Sequence, residues 1–404
     1  MNRTLSAAGV GILLPALCFF SLCNAAEEAI YTSVNVTAEP SVSTRGMYET
    51  IAGYLRVKKP SHIEKSTELQ LNVPGFNAVI PVTAVIQNEP APLVVVLQGI
   101  TGQRHSPFSS LWPSWYAAAG FHVLTFDSTF LPSFNQVSGH GASGHIWVES
   151  ERAAQVINSF LNRDDVADKV TRIGVVGMSY GGLEALILGK MARAKSLPFK
   201  ISAIQAWSPP IDIEATAEIL DEMYRRHRWD YSLIELNWQV RRHKPNSSDS
   251  CASAAVPLSN ALMQAALTAS FHEELVPITL YNACHYRPDF LPGENQRTRK
   301  AYADNLGFQA FAYALSLPYW RTRSRVDPLE MVQRTRLCEL MRDQSPNAEI
   351  IIAANDPMNR TGALQDLQDC ATDVRLTLLP GGGHVGYIDT QDTRNRLLAL
   401  FENP

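Results

Sequence analysis

The sequence predicts an α/β fold, with a mostly parallel central sheet flanked by helices and an inserted helical cap. Three observations carry this. Short apolar runs alternate with segments of helix length, and one of them, Leu93-Val94-Val95-Val96-Leu97, is apolar throughout, as a strand buried on both faces requires. The alternation stops beyond Ile211 and resumes near Glu349, so the intervening stretch reads as an insertion, not a tail. At 404 residues, with 46% hydrophobic and 18% charged content, the chain can bury a large core.

The elements follow in order. Strand-like runs cover Glu68 to Val73, Ala78 to Gln87 and Leu93 to Leu97. A helix from about Phe108 to Ala119 ends at Gly120 and leads to the strand Phe121 to Phe126. A helix from Glu149 to Leu161 precedes the strand Arg172 to Val176, and a helix from Leu183 to Ala194 precedes the strand Lys200 to Ala206. These are successive crossover units. After the insertion come the strand Glu349 to Ala353, a helix near Leu364 to Cys370, the strand Val374 to Leu379 and a closing helix from Thr393 to Phe401. No internal repeat interrupts this order. The predicted organisation is therefore a core in two parts, residues 27–210 and 328–404, around a helical cap over 211–327 that is rich in aromatic residues.

Ahead of the core, Arg3 and an apolar run from Ala7 to Cys23 lead to Ala25-Ala26, where small residues suit cleavage. Residues 1–26 read as an export signal, with an uncleaved N-terminal anchor as the alternative. Cys23 invites a lipoprotein reading, which bulky Leu22 just before it opposes. Export leaves Cys251, Cys284, Cys338 and Cys370 in an oxidising compartment, with Cys338–Cys370 the first pairing expected and four free buried thiols the alternative. A net charge of −4 without a Lys/Arg stripe gives no footprint for nucleic acid. The partner expected instead is a small-molecule or lipid-like substrate.

The chemistry concentrates in Gly177-Met178-Ser179-Tyr180-Gly181-Gly182, set between a buried strand and a helix. A serine on so tight a turn needs neighbours without side chains, and the following helix aims its amides at the place where an oxyanion forms. Ser179 is the candidate nucleophile. Its candidate base is His384, in the glycine-rich segment Pro380 to Tyr387 after the last strand, and the candidate acid is Asp356, just past the preceding strand. The order serine, acid, histidine favours this trio. Asp212 is the rival acid, and Asp356 before Pro357 also suits a plain turn. Oxyanion donors are expected at the amide of Tyr180 and in the loop Gln98 to Gly102, at Ile100 or Thr101, with Ile100 preferred. His140 and His145 in Gly139 to His145 lack enough companions for a metal site, so no metal or cofactor is expected, and a glycine-rich pocket turn is the plainer account. The runs Arg225 to Arg228 and Arg241 to Lys244 read as solvated cap faces that also permit peripheral membrane contact.

Together these motifs resemble the α/β-hydrolase superfamily and, within it, the YheT-type esterases related to medium-chain ethyl ester synthases. The likeness runs from about Pro92 to Tyr387 and is narrowest at Gly382-Gly383-His384-Val385-Gly386-Tyr387. It implies Ser179, His384 and Asp356 as nucleophile, base and acid, acting on esters of medium or long acyl chains. Departures are Gln98 where relatives carry histidine, Tyr180 after the serine, and a longer aromatic insertion. The competing expectations are a peptidase or amidase of the same fold, or an inactive hydrolase-fold binding protein.

Overall fold

A computed structural model describes residues 44–57, 61–139, 141–227, 260–293, 295–324, 327–345, 347–370 and 374–402. Residues 1–26, His140, the run Arg241 to Lys244 and Cys251 lie outside them. Eight strands form one sheet: β1 (Ser66–Leu71), β2 (Ile80–Val85), β3 (Ala91–Leu97), β4 (His122–Thr125), β5 (Val170–Met178), β6 (Ala203–Trp207), β7 (Ala348–Ala353) and β8 (Arg375–Leu379). Their order is β1-β2-β4-β3-β5-β6-β7-β8, antiparallel at β1–β2 and β2–β4 and parallel from β4 onward. The expected mostly parallel sheet is present, and every expected strand is found with its ends moved by a few residues at most.

The continuous apolar run behaves as its composition requires. Leu93, Val95 and Leu97 of β3 enter one buried cluster and Val94 and Val96 enter another, so the sheet is covered on both faces. Helices α2 (Pro107–Ala118), α4 (Ile146–Leu161) and α5 (Tyr180–Arg193) supply much of the cover, α2 on one face and α4 and α5 on the other. Among the helices that were not expected are α1 (Thr44–Arg56), ahead of the sheet, and the short α3 (Pro132–Ser138).

Between β6 and β7 the described residues form helices joined by turns and loops, with no strand among them. They contain α6 (Ile213–His227), α7 (Asn260–Tyr286), a helix at Gln296–Ala303 and a stretch over 308–321 whose middle, Phe311–Ser316, is π-helical. Helices Pro328–Arg334 and Leu337–Met341 follow. The last of these belongs with the core: Lys190 of α5 donates to the Glu339 carbonyl at 2.8 Å, and Gln344 donates to the Leu186 carbonyl at 2.8 Å. Among the described residues no helix is long and apolar enough to cross a membrane. Arg225 and Arg226 both pair with Glu222 on the exposed surface of α6, the solvated face their spacing suggested.

Cys338 and Cys370 are joined as a disulfide with Cα atoms 5.7 Å apart, while Cys284 is free and exposed. The bridge ties helix Leu337–Met341 to helix Ala363–Cys370 across β7. A closed loop of 32 residues restricts the unfolded chain by about 3 to 4 kcal/mol. The expected result is that Cys338→Ser/Cys370→Ser lowers stability by that amount in urea unfolding, and that reductant lowers the wild-type midpoint alike. A wild-type midpoint indifferent to reductant contradicts it.

Candidate active site

The elbow is built by backbone crowding. Ser179 sits at φ 53° and ψ −116°, and its amide bonds the Trp207 carbonyl of neighbouring β6 at 2.8 Å. A Cβ on Gly177 would stand 1.9 Å from the Gly181 carbonyl oxygen, and one on Gly181 would stand 2.5 Å from that of Gln98. The turn closes only with glycine at both places, which is the physical content of the motif. The result lifts the Ser179 hydroxyl off the end of β5 at the start of α5.

His384 approaches from the loop after β8. Its Nε2 lies 3.0 Å from Ser179 Oγ and its Nδ1 lies 2.9 Å from Asp356 Oδ2. Both the histidine and the aspartate side chains are almost wholly buried. Asp356 Oδ1 accepts the Met358 amide at 2.9 Å, so one carboxylate oxygen holds the turn while the other faces the imidazole. The turn reading and the acid reading of Asp356 thus describe two oxygens of one group. Asp212, the rival, is engaged elsewhere: Oδ1 accepts the amides of Glu214 and Ala215 at the start of α6, and Oδ2 pairs with Arg336 at 3.2 Å.

Helix α1 braces the histidine loop, a role the sequence reading missed. Thr50 Oγ1 accepts the His384 amide at 2.7 Å, and Glu49 accepts the Gly382 amide at 2.6 Å and the Asn355 side-chain amide at 2.7 Å. Asn355 in turn accepts the Gly383 amide at 2.9 Å. Arg56 grips Asp389 through two nitrogens and donates to the Gly386 carbonyl at 2.6 Å. The approach is close because Gly46 and Gly53 face the loops: a Cβ on Gly46 would meet the Asn355 carbonyl oxygen at 1.8 Å, and one on Gly53 would meet Gly386 at 2.4 Å. Two glycines seven apart, on one face of a helix-length segment, are the signal that was available.

Ile100 and Tyr180, the expected oxyanion donors, border the same pocket as Ser179 and His384. Gln98 is buried and donates to Thr125 Oγ1 at 2.6 Å, a structural bond that leaves the loop amides free of its side chain. The Tyr180 ring points away from the serine into the core, against Phe130, and its hydroxyl donates to Glu149. Burial raises the Glu149 carboxyl to a pKa of about 7 against the bonds that lower it, and raises that of Glu184, which accepts from Thr129 at 2.6 Å, to about 8. Two buried carboxyls therefore lie behind the elbow.

Two apolar pockets with shared walls lie beside the elbow, and Ser179 borders the smaller of them. One, of about 470 Å³, is bordered by Ser179, His384, Leu220, Phe271 and Met358. The other, of about 880 Å³ including its mouth, runs under the cap between Phe130, Trp147, Phe311, Leu317 and Trp320. They share Ile100, Tyr180, Ile213, Ala217 and Phe308 as walls. The glycine-rich turn forms part of the larger pocket through Gly144 and His145 and is clasped by the cap: Asn282 accepts the Ser143 amide at 2.8 Å, Ser316 donates to the Ser143 carbonyl at 2.6 Å, and Trp320 donates to the Ala142 carbonyl at 3.0 Å. Among the described residues no group of three His, Cys, Asp or Glu side chains is placed to hold a metal ion.

Sheet order, elbow and histidine loop together define a hydrolase of the α/β class, and comparison with known families agrees. Residues 94–395 match the Alpha/beta hydrolase family, well over half the chain, and the chain belongs to that family. No curated protein matches the sequence significantly. Among solved structures the chain is similar to an esterase of Pyrococcus furiosus, at 14% identity over 83% of this chain and 89% of that one, with a TM-score of 0.46. It is similar to an esterase of Pyrobaculum calidifontis at 15% identity over 89% and 93%, with a TM-score of 0.44. It is similar also to a proline iminopeptidase of Mycobacterium smegmatis at 14% identity over 83% and 97%, with a TM-score of 0.41.

Proposed function

We propose that the protein is an exported serine esterase acting on carboxylic esters of medium or long acyl chain, of the YheT-like branch that the histidine loop resembles. The observation that carries the reading is the hydrogen-bonded line from Ser179 Oγ through His384 to Asp356 at 3.0 and 2.9 Å. Ser179 attacks the ester carbonyl while His384 Nε2 takes its proton. The tetrahedral oxyanion is held by the amides of Tyr180 and Ile100, and collapse expels the alcohol, protonated by His384. Water, activated by the same imidazole, then releases the acid.

The two pockets suit the two limbs of such a substrate. The departing alcohol must lie beside the imidazole that protonates it, hence in the smaller pocket that His384 borders. The acyl chain extends past Tyr180 and Ile100 into the larger apolar pocket. Apolar walls favour an acyl chain over a charged peptide amine. Export is supported by the Cys338–Cys370 bridge, a linkage that persists in oxidising compartments.

The test is turnover of p-nitrophenyl esters from acetate to palmitate, beside labelling with a fluorophosphonate and mapping of the labelled residue. Turnover should peak at a medium or long chain, with the label on Ser179. Labelling without ester turnover moves the substrate class to amides, and no labelling leaves a binding protein.

A further inference from the structure

We propose that Glu49 is a positioning residue for the triad, clamping the loop that carries Asp356 to the loop that carries His384. This rests on the serine-hydrolase reading of those residues and adds the group that sets their spacing. One carboxylate oxygen of Glu49 accepts two donors, the Asn355 side-chain amide at 2.7 Å and the Gly382 amide at 2.6 Å. Asn355 closes a ring by accepting the Gly383 amide at 2.9 Å. Asn355 directly precedes Asp356, and Gly382 and Gly383 directly precede His384, so the ring adjoins both the acid and the base. The other Glu49 oxygen accepts from Arg45, one helical turn back, at 2.8 Å, which holds the carboxylate in this orientation. Glu49 lies ahead of residues 94–395, so the family match gives it no role.

The histidine loop needs a clamp because its own backbone is held in an unfavourable shape. Gly382, Gly383 and Val385 have φ of 113°, 58° and 60°, and a β-branched residue such as valine takes that conformation only under constraint. The amides of residues 382, 383 and 384 are accepted by Glu49, Asn355 and Thr50, two of them side chains of α1 and the third a side chain of the acid loop. Without these acceptors the loop can relax toward ordinary dihedrals, and the imidazole travels with it. His384 Nε2 stands 3.0 Å from Ser179 Oγ and Nδ1 stands 2.9 Å from Asp356 Oδ2. A displacement of about 1 Å would break both bonds.

The experiment compares the full chain with Glu49→Ala, Glu49→Gln and Asn355→Ala, each held well below its unfolding temperature. The readouts are the rate of fluorophosphonate labelling of Ser179, kcat and KM on the best p-nitrophenyl ester, and the downfield proton resonance of the Nδ1–H that His384 shares with Asp356. Glu49→Ala is expected to slow labelling and lower kcat about 10²-fold, with KM within about twofold, and to broaden the resonance away. Glu49→Gln keeps an oxygen for Asn355 and Gly382 and turns its nitrogen toward Arg45, which is exposed and can swing into water. It should return labelling and kcat to within about fivefold of wild type and restore the resonance. Asn355→Ala opens the same ring at its other corner and should reproduce the loss, and it carries the test should Glu49→Ala fail to fold. The double variant should fall little below either single one, since both remove one clamp. Alanine variants that unfold at lower urea yet label and turn over within about threefold of wild type would show a strut for stability alone and overturn the proposal, as would a loss that glutamine does not recover. Labelling needs an activated serine but no ester substrate. Failure of the esterase reading therefore shows as normal wild-type labelling without ester turnover, with the clamp still read from labelling and resonance, whereas a wild-type chain that does not label overturns both.

Discussion

Asp356→Asn is expected to lower kcat about 10⁴-fold with KM little changed, and Ser179→Ala to lower it on the order of 10⁵ to 10⁶-fold. The asparagine effect follows from which oxygen does what. Oδ1 accepts the Met358 amide at 2.9 Å and must stay an acceptor, so the new NH₂ group takes the place of Oδ2 and faces His384 Nδ1. Two donors cannot face one another. Nδ1 is then forced to accept, the ring proton moves to Nε2, and the nitrogen 3.0 Å from Ser179 Oγ can no longer receive a proton. The serine variant loses the nucleophile itself and keeps only what the oxyanion amides and the pocket supply. Steady-state kinetics on the best p-nitrophenyl ester, together with the rate of fluorophosphonate labelling of Asp356→Asn, check both. A kcat for Asp356→Asn within tenfold of wild type would exclude Asp356 as the partner of the imidazole.

What could be read from the sequence depended on the range over which its cause acts. The elbow is a local packing problem, solved within Gly177 to Gly181, and so it left a local pattern. The same holds for β3, whose continuous apolar run states that both faces are covered. The acid needed chain order and the position of a strand end, and Asp356 was distinguishable from Asp212 on that ground. Helix α1 was missed because its partners lie some 330 residues away, where Glu49, Thr50 and Arg56 hold the histidine loop, and two glycines seven apart were its local mark. Tyr180 looked like a mere departure after the serine, since no local feature marks its hydroxyl as bound to a buried Glu149. Glu149 and Glu184 sit in helices as ordinary glutamates would, and only the packing of α4 against α5 shows that water cannot reach them.

Those two carboxyls make stability depend on pH in a direction opposite to that of a salt-bridged acid. Desolvation by burial is the largest cause in both, raising Glu149 from an ordinary 4.5 to about 7 and Glu184 from 4.5 to about 8, the latter helped by repulsion from Glu149. Between pH 4.5 and those values the folded chain keeps protons that the unfolded chain has released. The unfolded state then binds fewer protons, so stability falls as pH rises through this window and levels off above pH 8. Each group costs about 1.4 kcal/mol for every pH unit over which only the folded chain holds its proton, so the two together cost roughly 6 to 7 kcal/mol between pH 5 and pH 8. Glu184→Gln isolates one of them, because the amide oxygen still accepts from Thr129 and cannot ionise. Urea unfolding should find this variant close to wild type at pH 5 and more stable by a few kcal/mol at pH 8. The wild-type decline over the same range should flatten accordingly. Equal stability of variant and wild type at pH 8 would mean that Glu184 ionises at an ordinary pH despite its burial.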